Sequence, residues 1–312
     1  MNTISISKEQ TDDLKQSGLR NSLLELYRFL FAMWVVWYHG YFLFSNQFFD
    51  DGYMAVEFFF ILSGFYLLKN VNKYADQPFF VGLFKMIWGK VKPLGIPFII
   101  GIVFIIWQRV LAGVPILMGY LWYIPIMLLA FCMIYSLKRL IKKDLPFVLV
   151  LLAIMAINYV ILYVPIIEKF GVSRGLGAVS IGVLISLIPK KVFKIKNFNL
   201  NAVITLVIFL TVFLLAYIPE EHMISEYLSV LLFLPALIYF TSTLKVNYKF
   251  FNFLGSCSFL LYVYQCVLKI IKAYFSIEQF WLFIILICLV AVNKLICYCI
   301  EHKKHKTALI PA

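Results

Sequence analysis

Runs of about twenty apolar residues recur along the whole chain, separated by short polar segments, and this alternation limits the fold more than any other feature. About 20 residues is what an α-helix needs to cross the hydrocarbon core of a bilayer. Within that core every backbone N–H and C=O has to be paired inside the segment, which a helix does by itself. Ten such runs can be drawn, near 23–44, 53–69, 93–111, 120–137, 145–164, 174–189, 200–217, 227–244, 252–273 and 279–300. Composition points the same way, with 63% hydrophobic and 14% charged residues, against about 45–50% and about 25% in soluble domains. The expected fold class is an all-α polytopic membrane protein of about ten transmembrane helices. A polar N-terminal tail (1–22), a ten-helix membrane domain (23–300) and a basic tail (301–312) complete the expected layout. The start, KEQTDDLKQSGLR, is too long and too acidic for the n-region of a signal peptide, so the first span is expected to be retained.

The formal net charge of +13 is distributed unevenly. Both tails and alternate loops carry 21 of the 28 Lys and Arg residues, which by the positive-inside rule places both termini in the cytoplasm. The same distribution argues against a nucleic-acid partner, because no basic patch interleaved with aromatics occurs in a soluble segment. A multi-pass protein of a cell membrane, most simply the cytoplasmic membrane of a bacterium, is the expected setting, with the lipid bilayer as its surroundings. The six cysteines lie in apolar runs with no CxxC pair and are expected to pack as small hydrophobes.

Ionisable residues within membrane helices are costly, and each marks a functional hypothesis. The first two runs carry three of them: Arg28, His39 and Glu57. Arg28 and His39 are eleven residues apart, three helical turns plus about 20°, so they share a face at depths differing by about 16 Å. Glu57, early in the returning run, is expected at about the depth of His39. Histidine is the usual base for activating a hydroxyl near neutral pH, and a carboxylate beside it orients the ring and stabilises its protonated form. Arg28, near the basic end, suits an anion, although pairing with Glu25 three residues earlier on the same helix is an alternative.

The opening pair of runs resembles the acyltransferase-3 family of integral-membrane O-acyltransferases. That family begins with an arginine, ten residues and a histidine, matched by Arg28 and His39. It continues with a small-apolar-acidic-Phe-Phe stretch and Ser-Gly-Phe, matched by Ala55, Val56, Glu57, Phe58, Phe59 and by Ser63, Gly64, Phe65. Further matches are Trp122, Tyr123 and Pro125, which as physics alone read as an interfacial aromatic belt, and Arg174, Gly175 and Leu176. Two departures stand out. The family's Arg-x-x-Arg before a proline is here only Lys85, Lys90 and Lys92 ahead of Pro93, which keeps charge but loses the guanidinium fork. Where Tyr-x-x-His is expected, Tyr262 leads to Gln265.

The resemblance implies an enzyme transferring an acyl group, most simply acetyl, from cytoplasmic acyl-CoA to a hydroxyl of a sugar, cell-surface polysaccharide or glycolipid. On this reading His39 and Glu57 are catalytic, and Arg28, Lys90 and Lys92 bind the donor. Acetyl-CoA is a substrate, and no permanently bound cofactor or metal is expected. Arg174, Ser258, Tyr262, Gln265 and Lys269 are acceptor-binding or structural candidates, the last four sharing one helical stripe. The distance from Arg28 to His39 is comparable to an extended pantetheine arm, which would carry the thioester towards the outer face. The alternative function is a multi-span transporter of a small anionic or sugar-linked solute, for which the expected inverted repeats are not evident. GVSRG at 171–175 fits a nucleophile-elbow pattern, but it lacks the strand-turn-helix context, and Ser173 reads instead as a helix cap. His302 and His305 read as part of a solvated basic tail.

Overall fold

The computed structural model describes residues 21–40, 52–92, 122–161, 171–190, 197–216, 222–275 and 278–308, with isolated positions at 95, 99, 102, 103, 106, 110, 192, 193 and 195. Among these residues there is no strand. The helices are α1 (Ser22–Gly40), α2 (Gly52–Lys73), α3 (Phe79–Val91), α4 (Tyr123–Leu140), α5 (Asp144–Ile161), α6 (Val172–Leu187) and α7 (Phe198–Leu215). A continuous rod follows: α8 (His222–Leu228), a π-helical turn (Ser229–Phe233) and α9 (Leu234–Thr243). The chain closes with α10 (Lys249–Phe275) and α11 (Gln279–Ala308). The π turn precedes Pro235, whose missing N–H and bulky ring cannot fit the regular α-helical ladder.

Among the described residues, four helices are long and apolar enough to cross a membrane: α2, α4, α7 and the rod at Ile224–Thr243. The outward face of α7 shows why water is an unsuitable surrounding, since Val203, Leu206, Val207, Leu210 and Leu214 are each about half exposed. Most of the expected third span, 93–111, lies outside the described residues. Its preceding loop is not a loop. Residues Phe79–Val91 form α3, which turns Gly82 and Met86 inward while Phe80, Phe84 and Trp88 point outward at intervals of four. The lysines of this segment masked an amphipathic helix too short to span a bilayer. The presumed tail is also partly helical, because α11 continues through Ala308.

The core centres on α1 and α2, whose Phe31 and Phe58 rings stack at 4.1 Å. α2 crosses α6 at Gly64 and Gly182. A Cβ at Gly182 would lie 2.9 Å from the Gly64 Cα and 2.7 Å from the Phe65 N, so only hydrogens allow the two backbones to meet. α1 and α10 run parallel: Tyr248 N–H donates to the Ser22 hydroxyl, Gly255 packs on Glu25, and Ala32 and Val36 join Leu260, Leu261 and Leu268 in one cluster. The Ser22 end is also the basic end. Lys190 there donates to the Ser242 carbonyl, and burial with the neighbouring Lys245 and Lys69 charges holds its pKa below that of an ordinary lysine.

Candidate functional site

Arg28 sits in the second turn of α1, where one guanidinium nitrogen donates to both Glu25 oxygens at 2.9 and 2.7 Å. The same-helix pair is therefore formed, and Glu25 is fixed in turn by Gly255 behind it. About a third of the Arg28 side chain stays accessible. Its charge reaches two further groups, Tyr123 at the start of α4 and Lys90 near the end of α3. Burial, and then the Arg28 charge, hold the Lys90 pKa below the usual lysine range, while its ammonium rests 5.7 Å from the Phe131 ring. Lys90 thus lies within electrostatic reach of Arg28, whereas Lys92 is an exposed C-cap of α3. Two half-buried cations within electrostatic reach of one another are an unfavourable arrangement unless an anion joins them.

Tyr123 and Trp122 do not form a surface belt. The Tyr123 hydroxyl lies 3.2 Å from Ser63 Oγ and its ring 5.8 Å from that of Tyr262, while Trp122 packs against Gly171 and Phe60. Tyr123 sits between α2 and α10, and Trp122 between α2 and α6. On α10, Ser258 donates to its own helix at the Gly255 carbonyl. Gln265 is 3% exposed, and neither its Nε2 nor its Oε1 has a hydrogen-bond partner. The Lys269 side chain lies outside the described residues.

His39 occupies the last turn of α1, half-buried, with its ring 4.7 Å from that of Tyr38. Tyr38 in turn meets Gly52 and Tyr53 at the start of α2. This register corrects the expected position of Glu57. Five residues beyond Gly52, Glu57 lies about 7 Å deeper into the bundle than the His39 turn. Its carboxylate is fully buried and is held by Arg174 Nη1 at 3.0 Å and by the Tyr159 hydroxyl at 3.3 Å. Arg174 also donates to Glu226 and stacks over the Tyr53 ring at 4.8 Å. Arg174 is itself 6% exposed, a buried clamp between two carboxylates.

The local sequence explains how α6 supplies that clamp. The helix begins at Gly171, whose φ of +61° suits glycine and whose missing side chain admits the Trp122 ring. The cap is therefore Gly171 without a side-chain bond, and Ser173 is a buried first-turn residue. Arg174 then projects from the first helical turn towards α2. Tyr159 and Glu226 were not singled out from sequence. Both lie in apolar or loop-flanking stretches with no motif, and only tertiary folding joins them to Glu57 and Arg174.

Arg28 near the basic end, the unpaired Gln265 amide deeper in and His39 at the far end thus stand at successive depths along the parallel helices α1 and α10. A sequence model of the family described as "Acyltransferase domain" matches residues 21–302, nearly the full described region. The chain belongs to this acyltransferase-3 family, and is a membrane acyltransferase. No curated protein matches it, nor does any solved structure.

Proposed function

We propose that this protein transfers an acetyl group from acetyl-CoA, entering from the cytoplasm, to a hydroxyl of a sugar or surface glycan presented at the outer face. What supports the donor side is that Lys90 and Arg28, both only partly exposed, lie within electrostatic reach of one another, so that a phosphate between them relieves their mutual repulsion. Arg28 retains donor hydrogens beyond the one nitrogen committed to Glu25, and Lys90 adds a point charge. The arm of the donor then extends along α1, whose rise from Arg28 to His39 is about 16 Å.

His39 takes the proton of the acceptor hydroxyl as its oxygen attacks the thioester carbonyl, and the thiolate of CoA leaves towards the basic end. Glu57 has a different role from the one its sequence position suggested. Bound to Arg174 and Tyr159, it fixes the packing of α2, α5 and α6 behind His39, and so acts as a positioning residue. Ten spans with both termini in the cytoplasm agree with the collection of Lys69, Lys190 and Lys245 at the Ser22 end. The cytoplasmic membrane of a bacterium is the corresponding location.

Membranes containing the protein, incubated with acetyl-labelled acetyl-CoA and a panel of glycans, test the reading. Label in a glycan is the expected result. Solute flux across vesicles without any label transfer would favour a transporter and contradict the enzyme.

A further inference from the structure

A buried carboxamide with neither end paired is costly, since each unmet donor or acceptor has lost its water without replacement. Gln265 is in this position, 3% exposed with Nε2 and Oε1 both unpartnered, and the reaction outlined above leaves it without a task. Its place in the bundle indicates what it meets. On α10 it lies about 40° round from Leu261, which packs with Ala32 and Val36 of α1, and about 60° from Tyr262, whose ring meets Tyr123 of α4. It therefore faces the seam between α1 and α4, where the Arg28 charge reaches Tyr123.

Depth follows from the parallel pairing of α1 and α10. With Gly255 against Glu25, Gln265 stands about 15 Å further along, which is about 10 Å past Arg28 and about 6 Å short of His39. A donor stretched between a phosphate at Arg28 and a thioester at His39 has its two amide groups in this interval. An amide presents one N–H and one C=O, and a glutamine carboxamide supplies the complementary acceptor and donor. An acceptor hydroxyl approaching from the outer face has to stop at His39, beyond Gln265.

We propose that Gln265 binds between the two amides of the donor's pantetheine arm, donating from Nε2 to the carbonyl of one and accepting at Oε1 from the N–H of the other. The proposal rests on the acyl-CoA reading of the site. It moves Gln265 from the acceptor side, where the sequence had suggested a role, to the donor side.

Calorimetric titration of purified wild-type and Gln265→Leu protein with acetyl-CoA, and separately with adenosine 3′,5′-bisphosphate, which lacks the arm, tests it. The substitution is expected to weaken acetyl-CoA about tenfold or more, as two lost hydrogen bonds imply, and to leave adenosine 3′,5′-bisphosphate unchanged. The ligand-free variant is expected to melt at or above the wild-type temperature, because an unpaired amide has been removed. Unchanged acetyl-CoA affinity, whether alone or with a raised acceptor KM, overturns the proposal, as does equal weakening of both ligands or a lower melting temperature. A wild-type protein that binds neither ligand overturns the acyl-CoA reading itself, and this inference with it.

Discussion

Arg174 Nη1 donates to Glu57 Oε1 at 3.0 Å, joining the first turn of α6 to the buried face of α2 across 117 residues of sequence. The guanidinium also donates to Glu226, so one buried cation serves two carboxylates. Removing one partner of a buried ion pair leaves an uncompensated charge, at a cost of about 3–5 kcal/mol. Arg174→Gln is therefore expected to lower the melting temperature in detergent sharply. Adding Glu57→Gln is expected to recover part of the loss. Equal melting of Arg174→Gln and wild type would remove the clamp from the account.

The α2–α6 crossing gives a second contrast. Gly182→Ala places a Cβ against backbone atoms of Gly64 and Phe65, which cannot swing away as a side chain can. Overpacking of this kind costs about 1–3 kcal/mol. Gly89, within α3, has nothing within 4 Å of an added Cβ. Gly89→Ala is expected to be stabilising by up to about 1 kcal/mol through helix propensity. Melting temperatures moving in opposite directions support the crossing; two stabilised variants would contradict it.

Arg28, His39, Glu57 and Arg174 were legible in the sequence because ionisable residues inside apolar runs are few. Their pairing was less legible. Arg28 and Glu25 are one turn apart, so helical periodicity alone gives their bond. Counting each helix from the membrane edge puts Glu57 opposite His39. The register is set by Tyr38 against Gly52 and by the Phe31–Phe58 stack, which carry Glu57 deeper and onto the α6 side. Its real partners lie 102 and 117 residues away, beyond any local signal. The helix α3 was missed for another reason: its lysines suggested a loop, while the spacing of Phe80, Phe84 and Trp88 held the helical period.

The lowered pKa of Lys90 gives donor binding a pH dependence of definite sign. A lysine held below the usual range loses its positive charge at a lower pH than an exposed lysine, for which the value is about 10.4. Affinity for CoA is therefore expected to fall as pH rises through that lowered value. Lys90→Arg, which stays charged throughout, is expected to flatten the fall. A titration with the same midpoint in Lys90→Arg would show that another group is responsible.

Topology is testable independently of activity. Single cysteines introduced at Lys142 and Lys194 are expected to react with an impermeant reagent only from the cytoplasmic side. Those at Ser45 and Glu220 are expected to react only from outside. Opposite labelling at two of these positions would overturn the ten-span arrangement.

Arg28 and His39 are expected to divide the work along α1, the first holding the donor and the second performing the transfer. Arg28→Ala is expected to weaken acetyl-CoA binding by about 1.5–3 kcal/mol, the range for a hydrogen bond to a charged group. Arg28→Lys should recover only part of this, lacking the planar fork. The most direct measurement is the acetyl-transfer rate of His39→Ala at saturating acetyl-CoA, with donor affinity determined on the same preparation. The expected result is wild-type affinity with transfer reduced about a hundredfold to ten-thousandfold, the usual contribution of a general base. A His39→Ala protein that binds acetyl-CoA and transfers acetyl at the wild-type rate would contradict the account.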